Sequence, residues 1–175
     1  MINFRKATAS DTDLIEKIYT DIHCSEEKGE CVTGWIRGVY PTRDVVLSAL
    51  CRDDIFVMED GGKIVGSAII NKIQLGEYLH GNWSENPSDS QVMVLHTLVI
   101  SPKEKGRGYG KEFVSFYEKI ALENNCPYLR MDTNERNMAA RTLYKKLGYR
   151  EVGTVPCEFN GIKNVKMVLL EKTLR

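Results

Sequence analysis

Hydrophobic residues recur along the chain with two different periods, and these periods predict alternating strands and helices. Apolar, β-branched runs predict strands at 3–8, 55–60, 63–73, 92–100, 126–132, 149–159 and 165–172. Apolar residues spaced three and four apart predict helices at 9–27, 42–54, about 110–124 and 134–148. Gly61-Gly62 and Asn160-Gly161 are hairpin signals between neighbouring strands. The pattern therefore predicts one α/β domain, residues 1–175, built on a mixed sheet.

The amino-acid composition disfavours several classes of function but does not identify one. Lys plus Arg and Asp plus Glu are balanced at 24 each, which disfavours a nucleic-acid-binding surface. No apolar run approaches the roughly 20 residues of a membrane span, and the N-terminal stretch lacks the apolar region of a signal peptide. Five scattered cysteines without a C-x-x-C pair fit a reduced protein without structural zinc. We expect a cytoplasmic protein that binds neither membrane nor nucleic acid.

The segment KEKGRGYGKEF places three glycines, Gly106, Gly108 and Gly110, where the strand at 92–100 must become a helix. Glycines there allow the unpaired N–H groups of the first helical turn to approach an anion closely, and the helix dipole favours its charge. Lys105, Arg107 and Lys111 would add positive charge. The alternative is a glycine-rich surface turn, and the segment fits neither a P-loop nor a dinucleotide fingerprint well.

Three ordered motifs resemble the GNAT superfamily of acyl-CoA-dependent N-acyltransferases. The run Lys105 to Gly110 matches that family's [QR]-x-x-G-x-[GA] turn, with Lys in the place of Gln or Arg. Upstream, LVISP matches Leu-x-Val-x-Pro, with Ile100 in the place of Val. Downstream, NMAARTLYKKLGY matches N-x-x-A-x-x-x-Y-x-x-x-G-[FY] through Asn137, Ala140 and Tyr144, and through the Gly-Tyr pair that follows. The order of the predicted elements is also the order in that family.

This resemblance implies a mixed, mostly antiparallel sheet of six to seven strands flanked by about four helices. It implies transfer of an acetyl group from acetyl-CoA to a primary amine of a small molecule or peptide, by direct attack in a ternary complex and without a metal. A non-catalytic acyl-CoA sensor or a nucleotide-binding protein is the alternative. The protein would be a monomer or a homodimer. The implied coenzyme-binding residues are Leu98, Val99, Ile100, Lys105, Gly106, Arg107, Gly108, Tyr109, Gly110, Lys111, Asn137 and Tyr144.

Tyr144 is the candidate general acid, because the resemblance implies a tyrosine near the sulfur of CoA at this position. Taken by itself, an aromatic residue on an apolar helix face is more often a core residue. Asn137 lies two helical turns earlier on the same side and is either a coenzyme contact or a helix cap, with Asn134 an equally good cap.

His96 is the candidate general base. It lies in the central strand just before the glycine turn, and an ordinary histidine pKa near 6.5 suits proton removal at neutral pH. The segment LHTLVI also looks like a segment of serotonin N-acetyltransferase in which a histidine relays the amine proton. That enzyme has a second histidine two residues earlier, where this chain has Val94. A backbone N–H between Leu98 and Ile100 is the expected oxyanion donor, and a buried core histidine is the alternative to a base.

Two segments are candidates for the amine-binding pocket: CVTGWIRGVYP (31–41) and YLHGNWSENPSD (78–89). They supply Trp35, Tyr40 and Trp83 as candidate substrate walls, with carboxylates and Arg37 nearby. A thiol nucleophile at Cys157 would give a covalent acyl-enzyme, but no histidine stands near it in the sequence, so direct attack is favoured. The identity of the amine is left open.

Overall fold

The computed structural model describes residues 1–174, so Arg175, the last residue of the expected domain, lies outside it. Seven strands and four α-helices occur in this part of the chain. The strands are β1 (Ile2–Lys6), β2 (Ile55–Asp60), β3 (Lys63–Asn71), β4 (Val92–Ile100), β5 (Tyr128–Asn134), β6 (Arg150–Phe159) and β7 (Ile162–Thr173). The helices are α1 (Thr12–Glu27), α2 (Arg43–Arg52), α3 (Tyr109–Glu123) and α4 (Met138–Lys146).

The strands form one open sheet in the order β1-β2-β3-β4-β5-β7-β6. Neighbours pair antiparallel, except that β4 and β5 run parallel. This α/β architecture, with four helices and a mostly antiparallel sheet of seven strands, confirms the predicted fold class. No helix within residues 1–174 is both long and apolar enough to cross a membrane.

Helices cover both faces of the sheet. The first core joins α1 and α2 to one face through Ile15, Ile18 and Val46, which are 0–5% exposed. The second core joins α3 and α4 to the other face, with Phe113 and Tyr117 fully buried. A third cluster lies under the β6–β7 end, where the loops after α1 and β3 contact the sheet. Burial of these apolar faces is the main stabilising contribution to the fold.

Strands β4 and β5 pair over only four residues, from Val92 opposite Tyr128 to Leu95 opposite Met131. Beyond Leu95, β4 continues to pair with β3, whereas β5 pairs onward with β7. The two parallel strands therefore separate in the middle of the sheet. Backbone groups on that side of β4 lose their sheet partner, and the sheet is left with a gap at its centre.

A β-bulge lies where the strands separate. In a regular strand every second residue faces the same side. Met93 and Leu95 face the core with α3, and so do Leu98 and Ile100, so one extra residue is inserted between Leu95 and Leu98. The register with β3 shifts there, and Thr97 has a left-handed φ of 49°. A bulge increases the local bend of a strand. It therefore redirects the last residues of β4 toward the glycine turn.

The predicted elements differ from the observed ones mainly at their ends. Strand β3 ends at Asn71, two residues before the predicted end, while β7 starts three residues earlier and extends to Thr173. The polar loop before β4 contains short 3₁₀ segments at Gly76–His80 and Asp89–Gln91. Helix α4 begins at Met138, because Asn137 and not Asn134 caps it by accepting the N–H of Ala140 at 3.2 Å.

Candidate active site

A cavity of about 670 Å³ occupies the gap between β4 and β5. One end, the glycine-turn end, is bounded by Lys105, Gly106, Gly108 and Gly110 together with the start of α4. The other, the aromatic end, lies between the loop after α1 and the β6–β7 hairpin. Its walls are Trp35, Tyr40, Phe159, Ile162, Val165 and Met167. The cavity thus connects the sequence motif to residues far from it along the chain.

The glycine turn has a backbone that only glycine adopts readily. Gly106 and Gly108 have φ values of 84° and 81°, in the left-handed region. A Cβ added at either would meet no atom within 4 Å, so the surface in front of the turn is open. Helix α3 starts directly afterwards at Tyr109, and its first N–H groups have no helical partners. The turn therefore presents bare backbone and the positive end of a helix to the cavity.

The three cations predicted near the turn are not equivalent. Lys105 lines the cavity, whereas Arg107 and Lys111 do not. The Arg107 guanidinium lies 2.8 Å from a carboxylate oxygen of Glu104 and 3.2 Å from one of Asp60. Tyr109 lies buried and donates its hydroxyl to Asp60 at 2.6 Å. Arg107 therefore braces the turn from outside the cavity, which corrects the prediction that its side chain adds charge to the cradle. Tyr109 lines the cavity, as predicted for its position, and anchors the start of α3 to Asp60.

The end of β4 offers a free backbone donor to the cavity. Ser101 donates its N–H to the carbonyl of Val65 at 2.8 Å, so these two residues form a hydrogen-bonded pair. The preceding pair, Gly66 and Ile100, is then the alternate type, in which the N–H groups point outward. The Ile100 N–H points to the side that β5 has left. Of the three residues predicted here, Val99 instead directs its side chain to the α1 core.

Tyr144 lies in the cavity wall beside Gly110 and Leu143. Its ring is buried, with 7% exposed, and packs 6.0 Å from the ring of Tyr149. Within the described residues its hydroxyl has no hydrogen-bond partner; burial, and then the charge of Asp132, raise its pKa above the usual value for tyrosine. The group is therefore a protonated hydroxyl at neutral pH. It is both a core residue and a cavity residue.

His96 also lines the cavity, but its ring is anchored on the β3 side. Nε2 lies 3.0 Å from the carbonyl oxygen of Ile73 and 3.1 Å from Oδ1 of Asn71. Because a carbonyl only accepts, Nε2 carries the proton and donates it. Burial lowers the pKa of His96 to about 4. The ring is neutral at pH 7 and a much weaker base than the sequence-based assignment assumed.

Asp132 is the titratable residue that the sequence reading missed. It stands on β5 beyond the last residue paired with β4, and it lines the cavity. Burial raises the pKa of its carboxyl to about 6, while a hydrogen bond of 2.8 Å from the hydroxyl of Tyr78 partly opposes the shift. The charge of Asp132 also contributes to the raised pKa values of Tyr40 and Tyr144. All three residues line the same cavity.

One sequence signal could have found Asp132. The strand CPYLRMD is mostly apolar apart from Arg130, and the acidic residue falls at its end, where β5 must diverge from the strand that carries the glycine turn. Chemically active side chains collect at the carboxyl ends of parallel strands. The pairing of β4 with β5 was not evident from periodicity, however, so the position of this residue could not be recognised.

The three predicted wall residues separate into two groups. Trp35 and Tyr40 line the aromatic end, with ring centroids 5.8 Å apart, and the Tyr40 hydroxyl is hydrogen-bonded to Oγ1 of Thr97. Trp83 does not line the cavity: it stacks on the Arg130 guanidinium at 4.0 Å and donates Nε1–H to the carbonyl of Tyr78 at 2.6 Å. It supports the loop that holds Tyr78, which corrects its prediction as a substrate wall.

The thiol of Cys157 is a poor nucleophile. It lies outside the lining of the cavity, and burial and the charges of Glu77 and Asp132 raise its pKa. Residues 1–174 also contain no group of three or more His, Cys, Asp or Glu side chains arranged to hold a metal ion.

Comparison with protein families and solved structures gives a consistent result. The sequence model of the Acetyltransferase (GNAT) family matches residues 15–149, more than half of the chain. A streptothricin acetyltransferase of Escherichia coli is 26% identical over 129 residues, which are 74% of this chain and 66% of that enzyme. The chain spans about two thirds or less of the length of the curated relatives that it matches.

Solved structures share the fold at low sequence identity. An acetyltransferase of the GNAT family from Streptococcus agalactiae 2603 has a TM-score of 0.84 at 20% identity, over 99% of this chain and 96% of that one. The Salmonella typhimurium protein yncA, solved with its cofactor acetyl-CoA, has a TM-score of 0.68 at 16% identity, over 99% and 94% of the two chains. At this level of identity the likeness concerns the fold alone.

Proposed function

The chain belongs to the GNAT acetyltransferase family, and on that premise we propose that it transfers the acetyl group of acetyl-CoA to a primary amine by direct attack in a ternary complex. The observation that carries the proposal is the single cavity that joins the glycine turn, Tyr144 and Asp132. Its two ends suit two substrates bound at the same time. Its lining includes one proton acceptor, Asp132 at the aromatic end, and one proton donor, Tyr144.

The glycine turn fits the pyrophosphate of the coenzyme. Its left-handed glycines leave open space where side chains would stand, and the start of α3 adds unpaired N–H donors. Lys105 lies at the cavity edge, where it would meet a phosphate oxygen. When bound, acetyl-CoA supplies the thioester as an activated acyl group. The outward N–H of Ile100 is the donor we assign to the acyl oxygen.

Asp132 is the general base in this proposal, in place of His96. An alkylammonium titrates near 10.4, so a neutral-pH enzyme needs a group that accepts its proton. Asp132, with a pKa of about 6, is ionised at pH 7 and faces the cavity. His96, with a pKa of about 4, has its one N–H engaged with Ile73 and Asn71. We assign His96 to holding β3 and the following loop in place.

Tyr144 is the proposed proton donor to the departing thiolate. It lines the same cavity as Gly110 and Asp132, and its hydroxyl remains protonated because its pKa is raised. A buried hydroxyl without an internal partner is available to a ligand atom. Direct attack is favoured over an acyl-enzyme because the Cys157 thiol lies outside the cavity lining. The Cys31 thiol lines the cavity, but burial and the charge of Glu26 raise its pKa to about 11, so it is a poor nucleophile.

A thiol-release assay with acetyl-CoA and a panel of primary amines tests the proposal. We expect amine-dependent CoA release, and initial rates at varied concentrations of both substrates should give intersecting and not parallel reciprocal plots. Acetyl-CoA at 100 times its dissociation constant should raise the unfolding free energy by about 2.7 kcal/mol without added metal. Stabilisation by acetyl-CoA with no turnover of any amine would indicate a sensor and contradict the proposal.

A further inference from the structure

The aromatic end of the cavity has walls of apolar and aromatic side chains, although the uncharged polar residues Thr33, Thr133, Asn134 and Asn160 also line the cavity. Phe159 packs edge-on against Tyr40 with ring centroids 5.2 Å apart, and Trp35 does so from the other side at 5.8 Å. Ile162, Val165 and Met167 of β7 complete the wall, and each is at most 8% exposed. A pocket of this kind gains most from an aromatic or aliphatic ligand body.

Charge at the aromatic end is limited to Asp132. Within the described part of the chain, the charged residues that line the cavity are Glu30, Glu104, Lys105 and Asp132. The first three lie at the glycine-turn end: Lys105 Nζ is 3.5 Å from the carbonyl of Glu30, and Glu104 pairs with Lys63 and Arg107. An acidic group on the amine would therefore find no cation beside Asp132.

Resting on the proposed function, we propose that the acceptor is a primary amine with an aromatic or aliphatic body and no acidic group next to the amine. The reacting nitrogen must lie within reach of Asp132, which takes its proton. An α-carboxylate is only two bonds from that nitrogen, so it would be buried beside a second carboxylate without a counter-ion. Such a charge is strongly disfavoured. α-Amino acids are therefore rejected by the charge pattern and not by size.

A neighbouring groove of about 470 Å³ limits which acidic amines this proposal excludes. It shares Trp35, Ile162 and Val165 with the cavity. Its charged lining residues are Glu26 and Glu135 together with Arg136, Lys163 and Lys166, and Lys166 pairs with Glu135 at 3.3 Å. An acidic group far from the amine could reach those cations, whereas one on the α-carbon could not. The exclusion therefore applies to acids next to the reacting nitrogen and not to every acidic molecule.

A matched series of amines tests the inference: phenethylamine, L-phenylalaninamide and L-phenylalanine. The last two have the same branching but differ in the charge of the α-substituent and in the pKa of the amine, so their kcat/KM values are compared per unprotonated amine, from rates measured across pH. We expect kcat/KM for phenylalanine to be at least about 10²-fold below that for phenylalaninamide, because a site without a partner discriminates strongly against a buried charge. Ethylamine should also fall at least about tenfold below phenethylamine, since it leaves the aromatic walls uncovered.

A substitution of Phe159 tests whether the aromatic end of the cavity binds the aromatic body of the amine. Phe159→Ala should raise KM for phenethylamine several-fold while leaving ethylamine and the affinity for acetyl-CoA nearly unchanged. Phe116→Ala is the matched control, because Phe116 packs on Phe4 and Phe56 and does not line the cavity. It should lower stability without changing the ratio between the two amines. Equal effects of Phe159→Ala on both amines would count against the inference.

The outcomes separate the inference from the function on which it rests. Turnover of phenylalanine within tenfold of phenylalaninamide overturns the inference and leaves the acetyltransferase proposal intact. Failure of phenethylamine, lysine and spermidine alike to release CoA, from a protein that binds acetyl-CoA, overturns the proposed function and the inference with it. Discrimination against phenylalanine together with a preference for phenethylamine over ethylamine supports both.

Discussion

The two ends of the cavity are built in opposite ways. The glycine-turn end comes mainly from one short segment, residues 105–110, and presents backbone to the cavity. The aromatic end takes side chains from the loop after α1, from β5 and from the β6–β7 hairpin. One end is a local structure that a motif specifies, whereas the other exists only after the sheet has formed. Ligand recognition by backbone at one end and by side chains at the other follows from this difference.

The two ends should therefore respond differently to substitution. At the glycine-turn end, an added side chain would occupy the space in front of the backbone, so substitutions there should alter binding of the coenzyme. At the aromatic end, charge and shape of side chains matter, so changes there should alter the reaction of the amine. Substitutions at each end and at their junction test whether this separation holds.

Asp132→Asn should produce the largest loss, at the aromatic end. The amide still accepts a hydrogen bond from Tyr78 but cannot take a proton, so kcat/KM should fall by about 10²–10⁴-fold. In the parent enzyme, kcat/KM should rise with pH through about 6 as Asp132 ionises, and this limb should be lost in the variant. A profile with the limb intact would remove Asp132 from the mechanism.

The same variant should be more stable than the parent at pH 8. Folding raises the pKa of Asp132 from 3.8 to about 6, so the ionised carboxylate destabilises the folded state. This destabilisation develops as pH rises from 3.8 to 6 and remains above it; its upper bound is about 3 kcal/mol. Chemical denaturation at pH 8 measures it. Lost activity with unchanged or lower stability would indicate a structural role instead.

Tyr144→Phe, at the junction of the two ends, should lower kcat by about 10²-fold, because the thiolate loses its proton donor. Acetyl-CoA affinity should change little, since the ring remains in the wall. Tyr149→Phe is the control: it removes a hydroxyl that binds Glu118 at 3.0 Å but does not face the cavity. Equal losses of kcat in the two variants would return Tyr144 to a packing role.

Gly108→Val tests the glycine-turn end and should act on coenzyme binding. A side chain in the open space before the turn should weaken acetyl-CoA binding by at least about tenfold and remove the ligand-induced rise in melting temperature. Gly62→Val is matched for backbone strain, with φ of 79° against 81°, but lies in the β2–β3 turn away from the cavity. Both variants should lose stability, and only the first should lose acetyl-CoA binding.

The sequence predicted most of the fold and the glycine-turn end for the same physical reason. The periods of the strands and helices depend on residues that are close together in the sequence, and so does the segment from Lys105 to Gly110. These features can therefore be recognised without knowing the fold. Asp132 and Phe159 line one cavity only because β4 and β5 separate and β7 inserts beside β5. Trp83 was misassigned for a related reason, since its contact with Arg130 joins a loop to a distant strand.

His96 shows the limit of assigning chemistry by residue type. Its ordinary pKa made it the natural base in the sequence, but folding buries the ring and lowers that pKa to about 4. The bulge at Thr97 and the loop after β3 produce this environment, and neither is evident from the pattern of the strand. A titratable residue can therefore be recognised from the sequence, whereas its pKa cannot.

The smallest effect on catalysis is expected for His96→Gln. The glutamine amide can still donate to the carbonyl of Ile73, so kcat/KM should stay within about fivefold of the parent, and the pH limb near 6 should remain.

The effect of His96→Gln should instead appear in the pH dependence of stability. Folding lowers the pKa of His96 from 6.5 to about 4, so the unfolded state binds more protons at this group, and His96 by itself makes the parent lose stability as pH falls. This slope, at most about 1.4 kcal/mol per pH unit from this group, should be absent in the variant. Asp132 contributes a slope of opposite sign over nearly the same pH range, but it is present in both proteins and cancels when their stabilities are compared. Denaturation at pH 7, 6 and 5 measures it, alongside pH–rate profiles of both proteins. Loss of the limb near 6 in His96→Gln would make His96 the base after all and leave Asp132 without the role that its position suggests.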